Sequence, residues 1–341
     1  MLGINMFWQQ LKKPNQPILV LAPMADVTDP AFRTVIAKYG KPDVMWTEFV
    51  SSDGLCLAPE DGRKKLLKDL EYSEIERPIV AQIFGSNPEN MKKTAQLCRE
   101  LGFDGIDINM GCPDRSIEKQ KSGSAMMKYP DLAQEVIHAV MEGARSNNST
   151  DKAGDLPVSV KTRLGYNQDE LEEWLPKILE TKPAVVTLHA RTRKEMSKVP
   201  ARWERIKRAV EIRDEFQKDL APEDRTLIFG NGDVVTLEQA QEKYNETGCD
   251  GVMIGKGIFG KPWFFSGETP DLETRLKILI EHSELFSEIL GHKSFAVMKK
   301  HFKAYIDGFP GAKELRMELM ETEDAAGVRK IIEDFLDKSS I

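Results

Sequence analysis

The chain has 341 residues, 40% of them hydrophobic and 30% charged, with a formal net charge of -7. This supports a large core, as one big domain or one plus a small one, and excludes nucleic-acid binding through the global field, leaving only local basic patches for that purpose. The four cysteines, Cys56, Cys98, Cys112 and Cys249, form no C-x-x-C pair and fit no zinc spacing, so a metal site is not expected and a reduced, cytoplasmic protein is.

Phe7, Trp8 and Leu11 open the chain at helical spacing, without a signal-peptide core, and no apolar run approaches the length of a membrane span. Short apolar runs suited to strands follow at 18–21, 44–46, 79–84, 105–108, 158–160, 185–188, 227–229 and 251–254. Helical periodicity fills the intervals, most clearly at 88–101, 132–142, 171–180, 201–216 and 237–247. Asn87 and Thr236 read as N-caps, and Gly102 and Gly248 as the residues just past helix ends. Eight strand-then-helix units predict a (β/α)8 barrel of the TIM type. A doubly wound sheet would carry fewer units and an early G-x-G-x-x-G, which is absent. Beyond this the strand signal stops. Leu272, Leu276, Leu279, Ile280 and Leu290 predict one amphipathic helix, 295–306 a second, and Val328, Ile331, Ile332, Phe335 and Leu336 another, with a turn at Phe309-Pro310-Gly311. The expected organisation is a barrel over 1–266 and a small helical domain over 267–341.

Barrel chemistry sits at the C-terminal strand ends. Read in order, those ends present Ala22-Pro23-Met24-Ala25-Asp26, Thr47-Glu48, Gln82, Asn109 with Cys112, Lys161 with Arg163, His189 with Arg191, Gly230-Asn231-Gly232-Asp233, and Gly255-Lys256-Gly257. Glycine-rich loops after strands seven and eight suit a phosphate, and Lys256 adds a cation there. A lysine facing the barrel mouth needs an anionic partner or a shifted pKa, which singles out Lys161. A flat cofactor anchored by its phosphate would cross the mouth, packed on Met24, bonded by Gln82 and neutralised by Lys161. Those requirements describe flavin mononucleotide, FMN. Cys112, alone, would read as a small core residue. Its place after a strand, before Pro113 and a polar loop, makes it a candidate for chemistry.

The segment Pro23-Met24-Ala25-Asp26-Val27-Thr28-Asp29-Pro30-Ala31-Phe32-Arg33 resembles the opening signature of the tRNA-dihydrouridine synthases. Asn109-Met110-Gly111-Cys112-Pro113, Val160-Lys161-Thr162-Arg163-Leu164-Gly165, Leu188-His189-Ala190-Arg191-Thr192-Arg193, Gly230-Asn231-Gly232-Asp233 and the run from Gly255 to Trp263 follow that family's later motifs in order. Lys300-His301 and Gly308-Phe309-Pro310-Gly311 resemble its helical-domain signature. The resemblance covers nearly the whole chain.

It implies FMN-binding positions at Pro23, Met24, Ala25, Gln82, Lys161, His189, Asn231, Gly232, Asp233, Gly255 and Lys256. It also implies a proton donor at Cys112 and a uracil contact at Asn109. NADPH or NADH would be the reductant, tRNA the substrate, and a monomer is expected. The family usually has Gly where Asp26 stands and Arg where Lys256 stands. An extruded uridine in folded RNA needs phosphate contacts, for which Lys299, Lys300 and the surrounding Lys293, His301 and Lys303 are one candidate run. Arg191, Arg193, Lys194, Lys198, Arg202, Arg205, Lys207 and Arg208 are another. Two further classes stay open: an FMN barrel acting on a small dihydropyrimidine or enone, and a barrel that binds RNA without redox chemistry.

Overall fold

The structure is a computed structural model that describes residues 6–146 and 154–339. Residues 1–5, 340 and 341, at the outer limits of the two expected units, lie outside the described residues.

Among the described residues, nine strands form one parallel sheet: β1 (Ile18–Leu21), β2 (Met45–Trp46), β3 (Val50–Ser51), β4 (Ile79–Phe84), β5 (Gly105–Asn109), β6 (Val158–Arg163), β7 (Val185–His189), β8 (Leu227–Asn231) and β9 (Gly251–Ile254). Their order is β1-β9-β8-β7-β6-β5-β4-β2, and β3 adds a short pairing at the end of β4. A parallel bridge between Val20 and Val44 closes the ring. The Leu21 N–H donates to the Val44 carbonyl at 3.1 Å and the Asp43 N–H to Leu19 at 2.9 Å. The eight expected strands are therefore present as a closed barrel, with β3 as an extra two-residue piece.

Four strands run further than their apolar runs suggested. β5 reaches Asn109, β6 Arg163, β7 His189 and β8 Asn231. Backbone pairing does not stop where side chains turn polar: Asn109 pairs with Lys161, Arg163 with His189, and His189 with Asn231. The alternation has a direct meaning here. On β6, Val158 and Val160 belong to the layer between strands and helices, while Ser159, Lys161 and Arg163 fall on the opposite face. On β5 the pattern repeats with Ile106 and Ile108 against Asp107 and Asn109.

Among the described residues, fourteen α-helices surround and follow the strands: α1 (Met6–Leu11), α2 (Pro30–Tyr39), α3 (Ser52–Leu57), α4 (Glu60–Lys68), α5 (Pro88–Glu100), α6 (Arg115–Glu118), α7 (Pro130–Ala144), α8 (Leu171–Leu179), α9 (Trp203–Phe216), α10 (Leu237–Thr247), α11 (Leu272–Ile289), α12 (Lys299–Tyr305), α13 (Ala312–Met320) and α14 (Ala325–Ser339). Asn87 and Thr236 accept backbone N–H groups as N-caps, and Gly248 ends α10 at φ +68°. α3, α4, α6 and α13 are not expected from the sequence, α6 lying in the polar loop expected after Pro113, because short polar helices carry little periodic signal. The stretch expected as one helix over 295–306 is a 3-10 turn followed by α12.

The lower end of the barrel is plugged by α1. Trp8 is 1% exposed and packs against Trp46 at 5.9 Å and Phe229 at 5.5 Å between ring centroids. The C-terminal helices α11 and α12 dock on α2, and α13 and α14 pack on α12 and α11. Phe32 stacks on His282 at 4.9 Å, and Glu281 accepts from Lys38 at 2.7 Å and from the Tyr39 hydroxyl at 2.5 Å. At Gly260, φ +65°, a Cβ would lie 2.2 Å from the Ala304 backbone, so only glycine lets α12 approach. Trp8→Ala should lower the stability of the protein by about 3–5 kcal/mol, the range for truncating a buried tryptophan. A urea melt with an unchanged midpoint would show that α1 does not plug the barrel.

Candidate active site

A cavity of about 260 Å³ opens at the C-terminal end of the strands, lined among others by Met24, Phe49, Asn109, Cys112, Lys161, Arg163, His189, Asn231, Gly255 and Lys256. A hydrogen-bonded chain runs beneath it and rises to Asn109. Ser159 Oγ donates to Asp107 Oδ1 at 2.5 Å, and Gln82 Nε2 donates to Asp107 Oδ2 at 2.6 Å. Asn109 Nδ2 donates to Gln82 Oε1 at 2.9 Å. Asn109 Oδ1 then accepts the Gly111 N–H at 3.1 Å and the Cys112 N–H at 2.9 Å. Two more bonds clamp the turn: Arg163 Nε to the Gly111 carbonyl at 2.7 Å, and the Ser124 N–H to the Cys112 carbonyl at 2.9 Å. Burial pushes the Asp107 carboxyl up to about 6, against the pull of Gln82, Ser159 and Lys161.

The opposite wall is cationic. Lys161 Nζ has Asn231 Oδ1 at 3.4 Å as a neighbour. The Arg191 guanidinium bonds Asp233, the Val199 carbonyl at 2.6 Å and His189 Nε2 at 3.2 Å. A guanidinium has no acceptor, so His189 Nε2 accepts and the ring proton resides on Nδ1. Burial, then the charges of Arg163, Lys161, Arg191 and Lys256, hold His189 far below its usual range, so it is neutral. Gly232 sits at φ +136° and a Cβ there would meet Ala201 at 2.8 Å. Asp233 is the carboxylate on a wall that carries Lys161, Arg163, Arg191 and Lys256. Such a donor set suits an anion.

A family model for dihydrouridine synthase matches residues 20–340. The chain belongs to the dihydrouridine synthase family. It is 41% identical over 334 residues to a Bacillus subtilis (strain 168) protein named as a probable tRNA-dihydrouridine synthase 2, covering 96% of both chains. It is 40% identical to a Staphylococcus aureus (strain COL) protein named as a probable tRNA-dihydrouridine synthase, covering 96% of this chain and 95% of that one. A solved 2-naphthoyl-CoA reductase in complex with 2-naphthoyl-CoA aligns with a TM-score of 0.50 at 10% identity, over 73% of this chain and 49% of that one. That likeness is one of barrel fold.

Of the residues expected at the dihydrouridine synthase site, Pro23, Met24, Asn109, Cys112, Lys161, His189, Arg191, Asn231, Gly232, Asp233, Gly255 and Lys256 line the cavity. Ala25 does not, and is exposed beyond its edge. Gln82 lies beneath the floor, fully buried, with both ends of its amide taken by Asp107 and Asn109. Lys299 and Lys300 stand on α12, where Lys300 Nζ comes within 4.0 Å of Asp26 Oδ2. Asp26 adopts φ +53°, the left-handed region where glycine is unstrained and aspartate is tolerated. Arg163 and Phe49 also line the site. Arg163 was legible as the next inward position after Lys161 on a strand of period two.

Both basic runs need correction. Arg193 pairs with Glu118, Arg202 with Glu195, Arg205 with Asp169 and Glu172, and Arg208 with Glu172, Glu211 and Glu215. These arginines are internally neutralised rather than a bare cationic face. His301 is 0% exposed, and Lys293 pairs with Asp69 at 2.8 Å and Glu48 at 3.7 Å. In the tail, Lys299, Lys300 and Lys303 remain.

Lys161 supplies a pH test. Burial, then the charge of Arg163, lowers it from 10.5 to about 8. Between pH 8 and 10.5 the unfolded chain therefore holds more protons, and stability rises with pH across that window. Below it, the buried ammonium costs stability. In protein stripped of any ligand, Lys161→Met should melt higher than the parent at pH 7, and the gap should close as pH rises to about 10.5. A gap that is constant over that range contradicts this account of Lys161.

Proposed function

We propose that the protein reduces the C5–C6 double bond of uridines in tRNA, using FMN held at the barrel mouth and NADPH or NADH as reductant. The carrying observation is the Cys112 thiol, fixed at the tip of β5 over a cavity with a cationic wall. The residues fit FMN: Arg191, Lys256 and the glycine loops at Gly232 and Gly255 suit its phosphate, and the buried Lys161 suits negative charge on its ring. When bound, FMN would supply the two-electron redox chemistry that saturating a carbon–carbon double bond requires.

Cys112 Sγ supplies the proton to C5, so that one hydride and one proton saturate the bond, and the thiolate is reprotonated from solvent. A donor must keep its proton until the substrate arrives. Burial raises the Cys112 pKa; a hydrogen bond from the Asp114 backbone and the charges of Arg163 and Lys161 oppose it, the Asp114 charge adds to it, and the net is a rise. The thiol is thus protonated at neutral pH. Asn109 has spent both lone pairs of Oδ1 on the turn and one N–H on Gln82, which leaves one N–H for a uracil carbonyl. His189, neutral, orients the Arg191 guanidinium through Nε2.

No helix among the described residues is long and apolar enough to cross a membrane. A cytoplasmic setting suits a tRNA substrate and four free cysteines. The competing small-molecule reading predicts turnover of free uridine with no gain from tRNA.

Purified protein should show a flavin spectrum bleached by NADPH. Cys112→Ala should keep that bleaching, yet slow reoxidation of the reduced enzyme by unmodified tRNA by about 10²–10⁴-fold, the usual worth of a positioned general acid. Cys98→Ala and Cys249→Ala are the controls, because both thiols are fully buried and pushed up to about 12 and about 11. Parental reoxidation by Cys112→Ala removes the thiol from the mechanism.

The role of the helical region is tested separately. Replacing Lys299, Lys300 and Lys303 with alanine should weaken tRNA binding and reduce its salt slope by roughly one unit per lost phosphate contact. FMN content should not change. Equal tRNA affinity at every salt concentration takes α12 out of the RNA interface.

A further inference from the structure

Beside the cavity, the loops that follow β5, β6 and β7 are tied into one rim. Arg193 Nε donates to Glu118 Oε1 at 2.7 Å, and the Arg193 and Lys194 N–H groups donate to the Gly165 and Tyr166 carbonyls at 2.9 and 3.0 Å. The Ser124 hydroxyl also donates to Glu118, at 2.8 Å, while its N–H holds the Cys112 carbonyl. The rim is therefore continuous with the Cys112 turn.

Four cation–ring contacts run along it. Lys121 lies 5.3 Å and Lys128 6.0 Å from the Tyr129 ring. Lys128 lies 4.3 Å and Arg193 5.2 Å from the Tyr166 ring. Tyr129 is 38% exposed, and Lys121 and Lys128 are exposed with no ion pair among the described residues. Glu118 is occupied by Arg193 and Ser124, and Asp114 by capping α6, while Asp131 stands exposed in the first turn of α7. The contrast with α9 is plain, since its arginines are neutralised by carboxylates. Aromatic faces interleaved with unpaired cations suit unpaired nucleotides, whose bases stack and whose phosphates need charge.

We propose that this rim carries the RNA strand flanking the uridine that enters the cavity. Lys121 and Lys128 take its phosphates, Tyr129 stacks under a neighbouring base, and Tyr166 positions Lys128. The assignment rests on the tRNA reading above and deepens it. A uridine extruded toward Cys112 brings its two flanking phosphates to the mouth, and this strip is the cationic ground next to the Cys112 loop.

The test is fluorescence anisotropy of labelled, unmodified tRNA over a salt series. Tyr129→Ala should weaken binding about tenfold, and Tyr129→Phe should bind like the parent. Lys121→Ala with Lys128→Ala should reduce the slope of log affinity against log salt by about 1.4, from roughly 0.7 per single-strand phosphate. Lys12→Ala, on the opposite end of the barrel where Lys12 pairs with Asp250, should change nothing. Flavin content and NADPH oxidation should stay parental throughout. Parental affinity and slope in these variants, with a parent that binds tRNA, overturn the rim and leave the proposed reaction standing. A parent with no affinity for tRNA overturns both. An equal loss in Tyr129→Phe, or a fall in melting temperature matching the loss, makes Tyr129 structural and also overturns the proposal.

Discussion

The side-chain amide of Asn109 is the constraint on which the site depends. Its oxygen gathers the Gly111 and Cys112 N–H groups, and its nitrogen is anchored through Gln82 to Asp107 and Ser159 inside the barrel. Without that tether, the residues after β5 would be an ordinary loop before Pro113. With it, a thiol is held in fixed register with Lys161, which pairs with Asn109 on the neighbouring strand. The barrel contributes rigidity, and the amide converts it into the position of one sulfur.

Around that sulfur the charge balance favours an anion. Lys161, Arg163, Arg191 and Lys256 share a wall with the Asp233 carboxylate, which burial pushes up but Arg191 and the Ala201 N–H hold below its usual range. A desolvated cation cluster destabilises a protein unless an anion joins it, so ligand binding and stability are linked here. Burial, and then the same field, keeps His189 neutral and leaves Lys161 near 8. Under the proposed function, lysine at position 256 would meet a phosphate as a point charge rather than a fork.

The helical region is part of the same core rather than a tethered module. His282 and His301 face Phe32 of α2, with His301 pressed down to about 3 by burial and then by Lys300. Lys293 links it to Glu48 at the end of β2, whose carboxyl burial raises to about 7. The Glu48 carboxylate in turn accepts the Asp26 N–H at the edge of the mouth. The orientation of α12 relative to the cavity is therefore set by buried contacts and not by the linker.

The sequence by itself determined the barrel, its order of strands, the helical tail, the family and the place of Cys112 just beyond a strand end. Those features are written in local periodicity and in short motifs, where the residues that matter are a few positions apart. Tertiary structure alone decided which charged groups are available. Arg193 is neutralised by Glu118, 75 residues away along the chain, and Arg205 by Asp169, 36 away. It also decided that His301 is core, that Gln82 lies under the floor and that Asn109 braces the turn. Periodicity reports which face of a strand or helix is apolar. It carries no information on what stands opposite a polar side chain, because that partner is supplied by a distant segment brought near only when the barrel closes.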